Sequence, residues 1–265
     1  MSRKINNIKL FVNNNEKAKV ILDIVKQELI NYHFNLVDHN YDLAIAIGGD
    51  GSFLRMVKEN NFNSDIYYVG INAGTLGFLQ EIKPDEINNF FNKLNHDDFK
   101  VDEIGIQETV VISNQSNQQF YSLNEIVIRD SDLNTAKLRL MVDDVLLEKF
   151  VGDGILISTS VGSTAYNLSY GGSIVYNTFH SLQITPIAPL NTKSYRDLLN
   201  SVIIPDNMQI KIIPENKNLL ITVDGENYVY NDVSAIETSV KKKRIKCLRL
   251  NDYNFLKIVK DKFLD

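Results

Sequence analysis

The chain has 265 residues, 44% of them hydrophobic and 23% charged, with a formal net charge of -5. This is the composition of an ordinary soluble globular protein, long enough for one large domain or two smaller ones. The mild negative charge argues against nucleic acid as a partner, no apolar run approaches the roughly 20 residues that span a bilayer, and a single cysteine, Cys247, excludes an internal disulfide.

The N-terminal stretch "MSRKINNIKLFVNNNEK" has neither the apolar core nor the cleavage site of a signal peptide, so a cytoplasmic location is expected. The next apolar run, "IKLFV" (8–12), reads as a strand. "EKAKVILDIVKQELI" (16–30) reads as a helix with Val20, Ile24, Gln27 and Ile30 along one side, and "YDLAIAI" (41–47) as a second strand. A helix "SFLRMVKEN" (52–60), a strand "IYYVGIN" (66–72) and a helix "PDEINNFFNKL" (84–94) opened by a proline follow. Such alternation predicts a parallel sheet covered on both faces.

After residue 100 the period changes. "KVDEIGIQETVVIS", "QQFYSLNEIVIRD", "AKLRLMVDD", "VLLEKF", "GDGILIST", "VIIP", "MQIKIIP", "LLITVDG", "ENYVY" and "KRIKCLRL" are strand-length segments broken by polar turns such as "SNQSN" and "VDGEN". They predict an all-β, sandwich-like domain, with Cys247 buried in a strand. The last segment, "DYNFLKIVKDKFLD", returns to helical spacing. The expected organisation is an α/β domain over 1–99, a β-sandwich domain over 100–250 and a helical tail over 251–265. The four histidines, His33, His39, His96 and His180, lack the pair spacing of a zinc site.

The stretch "AIAIGGDGSF" (44–53) runs a strand into three glycines around one carboxylate. In an open α/β sheet, ligands sit beyond the carboxyl ends of strands, where a strand–loop–helix turn aims backbone N–H groups. Glycines there permit positive φ and close approach of a polyanion, and a side chain at Gly48, Gly49 or Gly51 would crowd it. A carboxylate beside phosphate is unfavourable unless it holds a metal or accepts a proton, so Asp50 points to chemistry; the competing role is a plain helix cap. A second glycine turn, "INAGTLGFL" (71–79), follows the next strand, and two such turns on neighbouring strands make one crevice. Neither G-x-x-x-x-G-K-[ST] nor G-x-G-x-x-G is present, which argues against a P-loop ATPase and an ordinary dehydrogenase.

The β half carries "VGDGILISTSVGSTAYNLSYGG" (151–172), whose hydroxyls and small residues, with Asp153 and Tyr166 among them, suit a polyhydroxylated or phosphorylated ligand. Ser163 lacks the G-x-S-x-G elbow of a serine nucleophile. A wholly structural glycine-rich hairpin is the alternative.

Taken together, "GGDGSFLR" (48–55), "NAGTLGFL" (72–79), the Asn124-Glu125 pair inside "SLNEIVI", and "GDGILISTSVGSTAYNLSYGG" (152–172) resemble the NAD kinase family in order and spacing. The likeness runs from about residue 40 to 190 and continues more weakly to "VDGE" (223–226). It implies an α/β domain followed by a β-sandwich, homodimers or homotetramers, and transfer of the γ-phosphoryl group of ATP, or of polyphosphate, to the 2'-hydroxyl of the adenosine ribose of NAD. A divalent cation, Mg2+ by this resemblance, neutralises the triphosphate. By position, Asp50 resembles the family's proton acceptor, with Gly51 and Arg55 in the nucleotide site. Asn124 and Glu125 resemble the pair that holds the NAD riboses. Asp153, Thr164, Ala165, Tyr166, Asn167 and Ala188 correspond to the NAD-binding segment, and Asp224 reads as a hairpin turn outside the site.

The chain also departs from that pattern. Val151 stands where the family commonly has Arg or Lys; Lys149, on the same strand face, can supply the charge from one step away. Thr159-Ser160 replaces Thr-Pro, and Val161 a hydroxyl residue. A lipid kinase with the same GGDG loop and a non-catalytic NAD-binding regulator are the rival readings. The first needs a lipid-accepting surface, and the second has little use for a carboxylate facing phosphate.

Overall fold

The computed structural model describes residues 5–74, 77–114, 116–192 and 196–264. They form two compact units, one reaching Ile104 and resuming at Arg244, the other running from Gly105 to Lys243.

The first unit is built on strands β1 (Asn7–Val12), β2 (Asn35–Leu36), β3 (Leu43–Gly48) and β4 (Tyr67–Asn72), with helices α1 (Glu16–Asn31), α2 (Asp50–Glu59) and α3 (Ile87–Asn95) between and after them. The strands pair in parallel in the order β2-β1-β3-β4. Every residue of β3 and β4 is buried, as a central parallel strand covered on both faces requires. One face of the core combines Ile45, Ile47, Val69 and Ile71 with Phe90, Phe91 and Leu94 of α3. Helix α1 starts at Asn15, whose side chain accepts the Ala18 N–H at 2.8 Å. It packs through Ala18, Ile21, Val25 and Leu29, leaving Val20, Ile24 and Ile30 exposed. This corrects the expected face. The helix carries two apolar stripes on opposite sides at 100° per residue, and the sheet takes the one with the smaller Ala18 at its start.

The second unit holds β5 (Lys100–Ser113), β6 (Asn117–Ser122), β7 (Glu125–Asp130), β8 (Ala136–Val142), β9 (Val145–Gly152), β10 (Gly154–Thr159), a one-turn helix α4 (Tyr166–Ser169), β11 (Ser181–Ile187), β12 (Val202–Pro205), β13 (Ile210–Pro214), β14 (Leu219–Val223), β15 (Glu226–Tyr230) and most of β16 (Val233–Arg249). Strands β12-β11-β10-β7-β14-β15 form one antiparallel sheet, and β16, β13, β8 and β9 pair antiparallel in a second. Ile126, Ile128, Ile155 and Ile157 of the first meet Leu138, Leu140, Ile210 and Ile212 of the second in a common core, as a sandwich requires. Strand β11 is absent from the sequence reading because Pro186 interrupts its pattern; it pairs opposite Ile155 all the same. Gln115, in the expected "SNQSN" turn, lies outside the described residues.

The chain passes from the first unit to the second within β5 and returns within β16. Lys246 and Cys247 pair in parallel with Tyr67 and Tyr68 of β4, and burial pushes the Cys247 thiol up to about 12. The tail, helix α5 (Phe255–Phe263), also belongs to the first unit. The expected 100–250 domain and separate tail therefore divide differently, because a single strand long enough to serve both units shows no change of period where it crosses.

Arg249 ties this return to the sheet. Its side chain is 5% exposed and donates to Glu81, also 5% exposed, and to Asp102, both at 3.1 Å, while the Leu250 N–H bonds Glu81. Removing one partner leaves the others buried and uncompensated, so Arg249→Leu is expected to lower stability by about 3–5 kcal/mol. Urea unfolding checks this: the midpoint should drop with the slope unchanged.

Candidate functional site

Strand β3 ends at Gly48 and α2 begins at Asp50, with Gly49 as its N-cap residue. Asp50 does not cap its own helix. Its Oδ2 accepts the N–H of Phe78 at 3.0 Å and its Oδ1 the N–H of Leu79 at 2.9 Å. The carboxylate lies in the first turn of α2, at the positive end of the helix dipole, and 32% of the side chain remains exposed. The Lys262 Nζ of α5 stands 3.9 Å from Oδ2. Gly77 makes this contact possible: a Cβ there would fall 2.2 Å from Oδ1. Gln80, 1% exposed, braces the turn by donating to the Gly49 carbonyl at 2.8 Å.

The GGDG glycines differ from expectation. Gly48 is required by the protein itself, because a Cβ would meet Ser52 Oγ at 2.2 Å, whereas Cβ atoms at Gly49 and Gly51 meet nothing within 4 Å. None of the three has positive φ; Gly49, at φ -108, is extended. Open space at Gly49 and Gly51 leaves the backbone accessible, so what the turn offers is approach rather than unusual dihedrals.

The second glycine turn lies alongside. Gly48 and Asn72 are opposite in the β3–β4 register, the Ala73 N–H donates to the Gly48 carbonyl at 3.0 Å, and Asn72 Oδ1 accepts from Gly74 at 2.7 Å. Thr75 and Leu76 of this turn lie outside the described residues. Arg55 leaves α2 on the exposed side, with Nη2 3.4 Å from the Val12 carbonyl and Nε 3.7 Å from Glu59.

In the second unit, Asn124 and Glu125 sit where β6 turns into β7. The oxygens of Asp224, in the β14–β15 hairpin, accept the N–H groups of Leu123 (2.8 Å), Asn124 (2.8 Å) and Glu125 (3.2 Å). The hairpin reading of Asp224 is correct as far as it goes, but the residue also fixes the Asn124-Glu125 backbone. The Asn124 carbonyl accepts from Thr159 at 2.9 Å, and a Cβ on Gly162 would lie 2.1 Å from it. The "VGSTAY" turn thus packs directly on this pair. Glu125 is 6% exposed, and no described donor reaches its Oε2. Burial, reinforced by the charge of Asp224 and opposed by the Tyr166 N–H, pushes its carboxyl up to about 8. At neutral pH Glu125 is therefore protonated, able to donate one hydrogen bond and accept others.

Thr164, Ala165, Tyr166 and Asn167 follow at the start of α4. Asn167 is fully buried and engaged within the fold: Nδ2 lies 3.3 Å from the Ser163 carbonyl and Oδ1 accepts from Thr185 at 2.6 Å. Tyr166 is exposed, its hydroxyl 2.7 Å from that of Tyr170 and 3.3 Å from Arg129. The Tyr170 hydroxyl and the Arg129 guanidinium draw the Tyr166 hydroxyl below the usual phenol range. Arg129, Tyr170, Asp153, Ile187 and Ala188 line one cavity of about 410 Å³. Ala188 holds φ 44. Lys149 and Val151 instead line a groove of about 420 Å³ with Lys137, Arg139 and Arg196, so Lys149 opens onto a different surface from Asp153.

The second glycine turn, Gly77 included, was expected in the crevice, whereas the sequence reading missed Gln80, Asp224, Arg129, Tyr170 and Lys262. Asp224 carried a signal, an acid in a hairpin turn; the others have no local pattern that marks them.

Residues 6–99 match the model of the ATP-NAD kinase N-terminal domain and 123–247 that of the C-terminal domain. The chain is 37% identical to the NAD kinase of Finegoldia magna, covering 97% of each chain. It is 30% identical to NAD kinase 2 of Halalkalibacterium halodurans, covering 98% of each. Among solved structures, yeast NADH kinase complexed with NADH aligns at TM-score 0.85 with 19% identity, over 98% of this chain and 88% of that one. An NAD kinase from Archaeoglobus fulgidus in complex with ATP aligns at 0.73 with 18% identity, over 97% and 96%.

Because the folded-state value of Glu125 is raised above its ordinary 4.5 to about 8, its contribution is complete below pH 4.5 and is lost as pH rises through about 8. Glu125→Gln is expected to flatten this part of the stability–pH curve. Carboxyl-detected NMR should place the wild-type titration near pH 8, and a midpoint in the ordinary carboxylate range would refute the assignment.

Proposed function

The chain belongs to the NAD kinase family, and we propose that it phosphorylates NAD on the 2'-hydroxyl of the adenosine ribose, using ATP, with Asp50 accepting the hydroxyl proton. The observation that carries the reading is the Asp50 carboxylate itself, aimed by two backbone N–H groups and left partly exposed at the carboxyl end of a parallel strand. A ribose hydroxyl is a weak nucleophile at neutral pH, so transfer depends on alignment, charge neutralisation and a base for the departing proton.

In this reading Asn124 and Glu125 hold the riboses. Glu125 Oε2 has no described partner, and a protonated carboxyl brought against a ribose would both donate to a hydroxyl and accept from one. Asp153 and Ala188, in the cavity walled by Arg129 and Tyr170, take another part of the dinucleotide. Thr164, Ala165 and Tyr166 line its path, and Asn167 acts from inside by fixing their turn. Gly51 gives phosphate room to approach, and Arg55, on the helix that starts at Asp50, is within a turn of it. Among the described residues no three His, Cys, Asp or Glu side chains gather into a metal cage. A divalent cation, Mg2+ by the family's pattern, would neutralise the triphosphate charge when bound with the donor.

The lipid-kinase and non-catalytic readings are weaker, since both family models and relatives spanning the whole chain are of NAD kinases. No helix among the described residues is long and apolar enough to cross a membrane. A cytoplasmic location and assembly into dimers or tetramers complete the proposal. Assembly is supported by the apolar stripe Val20, Ile24 and Ile30 left outward on α1.

Asp50→Asn keeps the side chain's size and one accepting oxygen for the Phe78 and Leu79 N–H groups, sets an amide NH2 against the other, and removes the proton acceptor. It is expected to lower kcat by about 10³-fold, measured with NAD, ATP and magnesium by coupling product to an NADP-specific dehydrogenase. NAD binding, followed by titration calorimetry, should persist; undiminished turnover would overturn the role of Asp50.

A further inference from the structure

The C-terminal helix meets the Asp50 turn at Phe78. Asn254 caps α5 by accepting the Lys257 N–H at 3.1 Å, and Phe255 is 3% exposed. The rings of Phe255 and Phe263 lie 5.8 and 5.6 Å from that of Phe78. Between them Lys262 extends over the same ring, its Nζ 4.8 Å from the centroid, and ends 3.9 Å from Asp50 Oδ2. Phe78 thus does two things: its N–H holds the carboxylate, and its ring seats the helix that brings an ammonium to the same oxygen. The other charged groups nearby are directed elsewhere. Arg55 faces Glu59 and the Val12 carbonyl, while Lys257 and Asp261 border a groove with Gln80, Glu81, Lys83 and Glu86. Lys262 remains 32% exposed, which leaves it free to change partner.

We propose that Lys262 is a catalytic residue of the phosphoryl transfer, pairing with Asp50 in the free enzyme and with the transferring phosphoryl group during reaction. This rests on the kinase reading given above. As the ribose oxygen bonds to the γ-phosphorus, the bond from that phosphorus to the β–γ bridging oxygen breaks and ADP leaves. The hydroxyl proton passes to Asp50. Protonation removes the negative charge that held the ammonium, just as charge spreads over the oxygens of the phosphoryl group next to it. A cation released at that moment stabilises the transition state more than the ground state, which is the condition for raising kcat rather than tightening binding. A lysine suits the exchange because its compact charge rides on a flexible stem.

The test uses the full chain. Lys262→Met keeps a stem to cover Phe78 and deletes the charge; Lys262→Arg keeps the charge. Lys262→Met is expected to lower kcat by about 10- to 100-fold with the KM for NAD within about twofold and calorimetric NAD binding unchanged, and Lys262→Arg to recover most of the loss. A Lys262→Met enzyme with kcat close to wild type, or an equal loss in both variants, would overturn the proposal. Wild-type protein without NAD-dependent turnover would instead overturn the kinase reading, so the two failures are distinguishable.

Discussion

Two backbone N–H groups, of Phe78 and Leu79, decide where the Asp50 carboxylate points, and much of the first unit is arranged to keep them there. A carboxylate in the first turn of a helix ordinarily bonds to its own N-terminal amides. Here it bonds across to the turn after the neighbouring strand. That is possible because β3 and β4 are paired in register up to Gly48 and Asn72, and because Gly77 presents no side chain where the carboxylate must pass. The constraint orients one polar group without burying it completely, a compromise between fixed geometry and access.

The supports of that turn come from distant parts of the chain. Gln80 bonds the Gly49 carbonyl, Glu81 is held by Arg249 and the Leu250 N–H, and Phe78 is covered by α5. The return of β16 and the last helix to the first unit is therefore part of how the site is built. A buried ion cluster contributes little net stability over an apolar replacement, but it joins residues 81, 102 and 249 in one arrangement, which suits a loop that must hold its shape.

In the second unit a different polar device operates. Asp224 spends its oxygens on three consecutive N–H groups, so the Asn124-Glu125 segment is fixed from below. Burial, reinforced by the Asp224 charge, pushes the Glu125 carboxyl up to about 8. One acid thus sets the position of another and adds to the burial that raises its titration. A protonated Glu125 can both give and accept hydrogen bonds, the pattern a sugar hydroxyl also presents.

The alternation of strands and helices, the later run of strands, the glycine turn after β3 and the hydroxyl-rich segment near residue 160 were all determined by the sequence itself. Each is a pattern among neighbours whose period follows from backbone geometry. The residues of the Asp50 and Glu125 sites that belong to such patterns were legible for the same reason. Which apolar stripe of α1 faces the sheet, where β16 changes units, and the partners of Asp50 and Asp224 were decided only by the tertiary structure. Phe78 lies 28 residues from Asp50 and Asn124 lies 100 from Asp224. Contacts over such separations leave no periodicity in the chain, since they exist only after its strands have paired and its loops have closed.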